Sequence, residues 1–136
     1  MATPAEGSKP AVLIVDDQPF FTTMFRGVLE QHGFRVFVAN SGPDGLKLAK
    51  NHKPNIIVLD IEMPGMDGFT VCQKLKEDSD VKDIPVMILT GTNNPKMNEK
   101  SFKAGADITA LKSLSSERLV NTIRLAMNKG KQPGPV

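Results

Sequence analysis

The sequence has few of the features that mark secreted, membrane or nucleic-acid-binding proteins. Its 136 residues contain one cysteine, so no disulfide can form within the chain and a reducing compartment is expected. No apolar stretch approaches the roughly 18 residues that cross a bilayer, and the first ten residues lack the apolar segment of a secretion signal. The formal net charge is +2, too small to indicate a nucleic-acid partner. These absences favour a cytoplasmic protein that binds neither membranes nor nucleic acid.

The single cysteine and the two histidines are not expected to carry chemistry. Cys72 lies in a helix-like segment and is interpreted as a small packing residue. His32 and His52 fall near the ends of predicted helices, where they would interact with the helix dipole. Neither histidine follows a predicted strand, so neither is a candidate metal ligand or catalytic residue.

The length of the chain fits one domain with a core of its own. The polar leader 1–9 is expected to be flexible. The segment 130–136, rich in glycine and proline, is expected to be a disordered tail or a truncated linker. The folded domain is predicted to span 10–129, without internal repeats or low-complexity segments.

Short apolar runs alternate five times with amphipathic stretches. Strands are predicted at 11–16, 34–39, 55–60, 85–90 and 107–111. Helices are predicted at 19–31, 43–51, 67–77, 95–104 and 115–129. Such alternation predicts an α/β fold, a doubly wound five-stranded parallel sheet with helices on both faces. Five strands fit the flavodoxin-like order 2-1-3-4-5, in which strands 1 and 3 are neighbours.

Polar residues stand where four of the predicted strands end. Asp16 and Asp17 close the first strand and Asp60 the third. Thr90 closes the fourth strand, and Lys112 follows the fifth. The carboxyl ends of parallel strands meet at one edge of the sheet, which is where open α/β sheets place their functional residues. In the predicted order the three aspartates meet at the topological switch point, where the strand order reverses between strands 1 and 3. The threonine and the lysine approach this point from strands 4 and 5.

The charges of this set indicate a bound cation. Three carboxylates and one ammonium sum to −2, and two like charges about 4 Å apart repel by roughly 4 kcal/mol at an effective dielectric of 20. Either a cation or a retained proton would relieve that repulsion. Hard oxygen ligands with incomplete protein coordination favour Mg²⁺, with Mn²⁺ as a substitute, and they leave room for a phosphate oxygen.

The same residues are chemically suited to a phosphoryl group. Asp60 is a candidate nucleophile, since a carboxylate can form an aspartyl phosphate. Lys112 offers a compact positive charge to one phosphate oxygen, and Thr90 offers a hydroxyl hydrogen bond to another. Backbone N–H groups after Asp60 and Gly91 would add further donors.

Four segments of the chain resemble the receiver domain of two-component response regulators. They are Val-Leu-Ile-Val-Asp-Asp at 12–17, Leu-Asp-Ile-Glu-Met-Pro-Gly-Met-Asp-Gly at 59–68, Ile-Pro-Val-Met-Ile-Leu-Thr-Gly at 84–91 and Phe-Lys-Ala-Gly-Ala-Asp at 102–107. The resemblance extends from Ala11 to about Met127. In this context the Met-Pro-Gly-Met-Asp-Gly turn is highly specific, whereas a lone Asp-Asp pair would not be.

The resemblance implies a role for each acidic residue. Asp60 looks like the phosphoacceptor, which takes a phosphoryl group from a histidine kinase or a phosphotransfer protein. Asp17 looks like the direct Mg²⁺ ligand, and Asp16 looks like a ligand through water. Asp60 and the backbone carbonyl of Glu62 complete the metal-binding set that the resemblance implies.

The resemblance also makes Thr90 and Lys112 look like the pair that senses the phosphate. In the family, phosphorylation draws the threonine hydroxyl inward and shifts the surface of helix 4, strand 5 and helix 5. That surface then binds a downstream protein, another receiver or an attached output domain. A phosphorylation-dependent dimer is therefore among the expected assemblies.

Three positions modify this expectation. Ser113 replaces the proline that usually follows the lysine in cis. A cis bond before serine would cost about 3 kcal/mol, so a trans bond is expected, with Lys112 slightly off its usual place.

Thr109 stands where the family usually has Tyr or Phe, so signalling without an aromatic rotamer switch is expected. Glu62 lies where an acid would steer or repel the water that hydrolyses the acyl phosphate, and the lifetime of the phosphorylated form stays open.

Two other functions fit parts of the pattern. The residues at 109 and 113 affect transmission more than chemistry, so a receiver-like interaction module that no longer switches on phosphate is one alternative. An aspartyl-phosphate hydrolase on a similar fold is the other, but such enzymes need a general acid and a cap over the substrate. No insertion in this chain is long enough to form a cap. The favoured interpretation is a signalling switch rather than an enzyme, either stand-alone or part of a longer protein.

Overall fold

The computed structural model describes residues 9–92 and 94–129. The predicted flexible leader, apart from Lys9, and the predicted tail at 130–136 lie outside the described residues. Within the described ranges, no helix combines the length and the apolar character needed to span a membrane.

Ten elements alternate between strand and helix, as predicted. The strands are β1 Ala11–Val15, β2 Arg35–Ala39, β3 Ile56–Asp60, β4 Val86–Thr90 and β5 Ile108–Leu111. The helices are α1 Pro19–Gln31, α2 Gly42–His52, α3 Gly68–Glu77, α4 Pro95–Lys103 and α5 Ser116–Lys129. Each end lies within one residue of its predicted position.

The five strands form one parallel sheet in the order β2-β1-β3-β4-β5, which confirms the predicted flavodoxin-like topology. The central strands β1, β3 and β4 are buried along their whole length, as expected for a sheet that is covered on both faces. The edge strands β2 and β5 carry partly exposed side chains. All five carboxyl ends therefore lie at one edge of the sheet.

The helices cover the two faces of the sheet with separate apolar clusters. On one face Phe25 and Leu29 of α1 pack with Leu119 and Ile123 of α5. On the other face residues of α2, α3 and the end of α4 pack together, and Cys72 of α3 is fully buried among them. Burial also raises the pKa of that thiol to about 11, so the predicted packing role of the cysteine is confirmed.

Short polar side chains mark the points where the helices begin. Ser41, Asp67 and Asn94 each accept a hydrogen bond from a backbone N–H in the first turn of α2, α3 and α4. Ser115 does the same for α5. Pro19 begins α1, where its fixed φ suits the first turn. These caps hold the start of each helix close to the carboxyl end of the strand before it.

The two histidines lie at the far ends of their helices. His32 follows α1, and its Nδ1 lies 2.8 Å from the carbonyl oxygen of Val28. His52 ends α2, and its ring stacks on that of Phe37 with a centroid separation of 4.2 Å. Because both helices run away from the carboxyl edge of the sheet, neither histidine lies with the strand-end residues.

Candidate functional site

Three carboxylates converge at the carboxyl edge of the sheet. The register of β1 and β3 pairs Val15 with Leu59, which brings the next residues, Asp16 and Asp60, side by side. One carboxylate oxygen from each of Asp16, Asp17 and Asp60 lies within 4.8 Å of the others. The first and last of these residues are buried, and the middle one is partly buried. Such a group of oxygens is suited to a hard divalent cation.

The hydrogen bonding of Asp16 and Asp17 differs. Asp16 Oδ1 accepts a hydrogen bond of 2.9 Å from the backbone N–H of Gln18. Asp17 Oδ1 is buried and has no hydrogen-bond partner within the described part of the chain. A buried carboxylate oxygen without a partner is destabilising, so this atom is suited to be a metal ligand.

Lys112 reaches the acidic group from the end of β5. Its Nζ lies 2.8 Å from Asp16 Oδ2 and 3.4 Å from Asp60 Oδ1. Its backbone N–H donates a hydrogen bond of 2.7 Å to the carbonyl of Thr90, at the end of the neighbouring strand. The peptide bond before Ser113 is trans, as predicted. The amine therefore contacts both carboxylates in a loop without the usual proline.

The ionisation of Asp60 is shifted by its surroundings. Burial, and then the charge of Asp16, raise the pKa of the Asp60 carboxyl from 3.8 to about 6. The Lys112 ammonium and the backbone N–H of Glu62 lower this pKa and only partly offset the increase. At neutral pH the ionised carboxylate is thus destabilising, and a bound cation would relieve that cost.

The hydroxyl of Thr90 is engaged with the backbone of the following loop. The residue is buried at the end of β4, and its Oγ1 donates a hydrogen bond of 2.7 Å to the carbonyl of Thr92. The hydrogen bond that this hydroxyl donates thus goes to the loop that leads into α4, and not to Asp60.

The turn after β3 depends on glycines at two positions. Gly65 has a φ of +82°, a left-handed conformation that glycine adopts without steric strain. Gly68 approaches the end of β3 so closely that a Cβ atom there would collide with the carbonyl oxygen of Asp60. Its N–H donates a hydrogen bond of 3.0 Å to the carbonyl of Ile61. This turn holds the start of α3 against the strand that carries Asp60.

Thr109 lies beside a cavity of about 630 Å³ bounded by β5, α4 and α5. Asn98 and Arg118 line the same cavity from the two helices. Phe102 of α4 is 53% exposed and does not line it. The small threonine side chain leaves this space open, so signalling without an aromatic rotamer switch stays a prediction.

Two further neighbours of Lys112 carry no recognisable signal in the sequence. Its Nζ donates a hydrogen bond of 3.3 Å to Gln18 Oε1, and it lies 4.1 Å from the centroid of the Phe21 ring. Phe21 recurs with Met24, Phe25 and Val28 at intervals of three and four residues along α1, a periodicity that predicts only an apolar packing face. Gln18 merely follows the two aspartates.

Comparison with known proteins places these residues in a family. Residues 12–124 match the model of the response regulator receiver domain. The DNA-binding dual master transcriptional regulator RpaA of Synechocystis is 35% identical over 120 residues, which cover 88% of this chain and 50% of the relative. Protein PilH of Pseudomonas aeruginosa is 34% identical over 116 residues, which cover 85% of this chain and 96% of the relative.

A solved structure agrees with this match. The structure of the chemotaxis protein CheY4 of Vibrio cholerae is similar with a TM-score of 0.84 and 27% sequence identity, over 88% of this chain and 99% of that one. The chain spans half the length of RpaA but nearly all of PilH, so what these proteins share with it is a single domain. Since the family model covers most of the sequence and the similarity extends across the whole fold, the chain belongs to the family of response regulator receiver domains.

Proposed function

We propose that Asp60 accepts a phosphoryl group from a histidine kinase or a phosphotransfer protein, and that this phosphorylation switches the domain. The observation that carries the proposal is the placement of the buried Asp60 carboxylate 3.4 Å from the Lys112 ammonium, beside two further carboxylates. An amine next to a carboxylate nucleophile can stabilise the charge of a transferring phosphoryl group. We assign the domain to cytoplasmic signalling rather than to turnover of an external substrate.

The acidic group fits Mg²⁺ as the resident ion. Asp17 Oδ1 is buried without a partner within the described residues, and the neighbouring carboxylates supply further hard oxygens. Asp16, Asp17 and Asp60 would hold the ion together with the backbone carbonyl of Glu62. When bound, Mg²⁺ supplies charge neutralisation between the acceptor carboxylate and the phosphoryl oxygens.

The chemistry is a substitution at phosphorus. One carboxylate oxygen of Asp60 forms a bond to phosphorus while the P–N bond to the donor histidine breaks, and the electron pair stays on the imidazole nitrogen. Lys112 then exchanges its carboxylate contacts for phosphoryl oxygens and stabilises their charge. Glu62 is exposed two residues further on, where its charge influences the water that later hydrolyses the acyl phosphate.

The phosphorylated state is read through Thr90. Its hydroxyl leaves the carbonyl of Thr92 and donates to a phosphoryl oxygen, which releases the loop before α4. The surface formed by α4, β5 and α5 changes as a result and binds a downstream protein, an attached output domain or a second copy of the receiver. With Thr109 on β5, this change proceeds without an aromatic side chain at that position.

The test is phosphorylation by a small donor. Incubation with acetyl phosphate or phosphoramidate and Mg²⁺ should add about 80 Da, one phosphoryl group, and Asp60→Asn should abolish the gain. No mass gain in the natural sequence would reject the switch and favour an interaction module that no longer responds to phosphate. Steady turnover of a generic phosphate ester would instead favour an aspartyl-phosphate hydrolase.

A further inference from the structure

The ammonium of Lys112 is surrounded by side chains from two parts of the fold. The carboxylates of Asp16 and Asp60 lie 2.8 and 3.4 Å away. The start of α1 contributes the other two neighbours, Gln18 Oε1 at 3.3 Å and the Phe21 ring centroid at 4.1 Å. Its position thus depends on this segment of the chain as well as on the acidic group.

The two carboxylates do not stay available to the amine throughout phosphoryl transfer. Under the proposed function, Asp16 and Asp60 would hold the cation and Asp60 would accept the phosphoryl group, so the amine depends on its other neighbours until phosphoryl oxygens reach it. A lysine side chain is flexible and loses considerable rotamer freedom when it is fixed. Ser113, in trans, gives the loop none of the stiffness of a proline.

Phe21 is the better placed of the two remaining neighbours. An ammonium within about 6 Å of a ring centroid is attracted by the ring face, more strongly when it is shielded from water. The Lys112 side chain is only 11% exposed. The Phe21 ring is held by the buried Phe25, against which it is tilted at 5.9 Å, whereas it meets the exposed Phe20 only edge-on, at 5.5 Å. Gln18 is exposed, so its hydrogen bond competes with water.

We propose that Phe21 is a positioning residue for phosphoryl transfer. Its ring face would keep the Lys112 ammonium beside the acceptor carboxylate while Asp16 and Asp60 are engaged with the cation and the phosphoryl group. This inference rests on the proposed function of Asp60. It assigns the ring a role in placing charge in addition to its packing on α1.

The first experiment compares two neighbouring phenylalanines with acetyl phosphate as the donor, so that docking of a partner protein plays no part. Phe21→Leu removes the ring face but keeps an apolar side chain. Phe20→Leu is the matched control, because Phe20 is 73% exposed and has no described contact with Lys112. We expect phosphorylation about three- to thirtyfold slower in Phe21→Leu, equivalent to about 0.6–2 kcal/mol. Phe20→Leu should react at the natural rate, and Phe21→Tyr should recover it.

A double substitution separates charge placement from packing. In a Lys112→Met background, Phe21→Leu should not slow phosphorylation further, because the ring affects the reaction only through the Lys112 ammonium. Nuclear magnetic resonance gives a readout that does not depend on activity. The ε-methylene protons of Lys112 should be shifted upfield by the ring current and return to ordinary positions in Phe21→Leu. The chemical shifts of the ε-methylene protons of Lys50, for which no ring contact is described, should be the same in the natural protein and in Phe21→Leu.

Two outcomes would overturn the inference while leaving the proposed function intact. One is an equal phosphorylation rate in the natural protein and Phe21→Leu. The other is that Phe21→Leu slows phosphorylation by the same factor in the natural sequence and in the Lys112→Met background. No mass gain in the natural protein would overturn the proposed function itself. Urea unfolding shows whether each compared variant is folded, and if Phe21→Leu is not, Phe21→Met replaces it under the same criteria.

Discussion

Replacing Asp60 by asparagine is expected to stabilise the metal-free protein at neutral pH, although it removes the proposed phosphoacceptor. Burial and the charge of Asp16 raise the pKa of Asp60 from 3.8 to about 6. One pKa unit corresponds to about 1.4 kcal/mol, so the ionised carboxylate lowers the free energy of unfolding by up to about 3 kcal/mol. Asparagine keeps nearly the same shape and an oxygen that accepts from Lys112, and it has no charge to bury.

The gain in stability is confined to a defined pH range. Well below pH 3.8 the Asp60 carboxyl is protonated in both the folded and the unfolded chain. Its ionisation then contributes nothing to the difference in stability between the natural protein and Asp60→Asn. Between pH 3.8 and about 6 the folded state binds more protons than the unfolded state. The natural protein therefore loses stability relative to the variant as pH rises through this range. Above about pH 6 the full difference is present.

Urea unfolding with a chelator present measures this difference. Far-UV circular dichroism is the suitable signal, because the chain has no Trp or Tyr for intrinsic fluorescence. Asp83→Asn, at an exposed aspartate in the turn before β4, is the matched control and should show no comparable gain. The reasoning is refuted if Asp60→Asn is no more stable than the natural protein near pH 7.5, or if the same gain persists near pH 3.

Asp17→Asn should lower the affinity for Mg²⁺ at least tenfold, about 1.4 kcal/mol, because it removes charge from the carboxylate whose oxygen lacks a partner within the described residues; calorimetric titration measures this. Gly68→Ala should destabilise the fold by about 1–3 kcal/mol and slow phosphorylation, since its Cβ would collide with the Asp60 carbonyl oxygen; urea unfolding and mass gain measure the two effects. Lys76→Met should lower the free energy of unfolding by about 1–3 kcal/mol, because the Lys76 amine binds Asp107 at 2.9 Å and two backbone carbonyls. Its phosphorylation rate should equal that of the natural protein, because these groups lie at the opposite edge of the sheet.

Each of these outcomes has a comparison that can contradict it. Unchanged Mg²⁺ affinity in Asp17→Asn would remove that residue from the proposed metal-binding set. Gly27→Ala is the control for Gly68→Ala, because a Cβ at Gly27 meets nothing within 4 Å; equal stability of the two alanine variants would rule out the proposed collision. A Lys76→Met protein that unfolds at the same urea concentration as the natural one would show that its ion pair is without net effect.

The architecture was predictable because local pattern and global fold agree in this chain. Fully buried parallel strands are continuous apolar runs; Ala11–Val15 is apolar throughout, and Val86–Thr90 is apolar up to its final threonine. Pro19 and Asp67 mark helix starts by their own chemistry. The strand-end residues were predictable for the same reason, since the order of a doubly wound sheet decides which strand ends meet.

The finer arrangement of the site was not predictable, because it depends on contacts between distant parts of the chain. Gln18 and Lys112 are 94 residues apart and meet only through the approach of α1 to the end of β5. Apolar periodicity assigns Phe21 to the core and cannot distinguish a ring that packs from a ring that also faces a charge. The direction of the Thr90 hydroxyl depends on where the loop carbonyl at Thr92 lies, which no local pattern records.

Under the proposed function, the hydrogen bond from Thr90 to the carbonyl of Thr92 has a consequence for how the domain would signal phosphorylation. A hydroxyl carries one hydrogen, so it can serve the loop or a phosphoryl oxygen, but not both fully at once. Each molecule would then occupy one of two exclusive arrangements, with no stable halfway form. A graded cellular response would then reflect the fraction of molecules in each of the two states, because no single molecule responds partially.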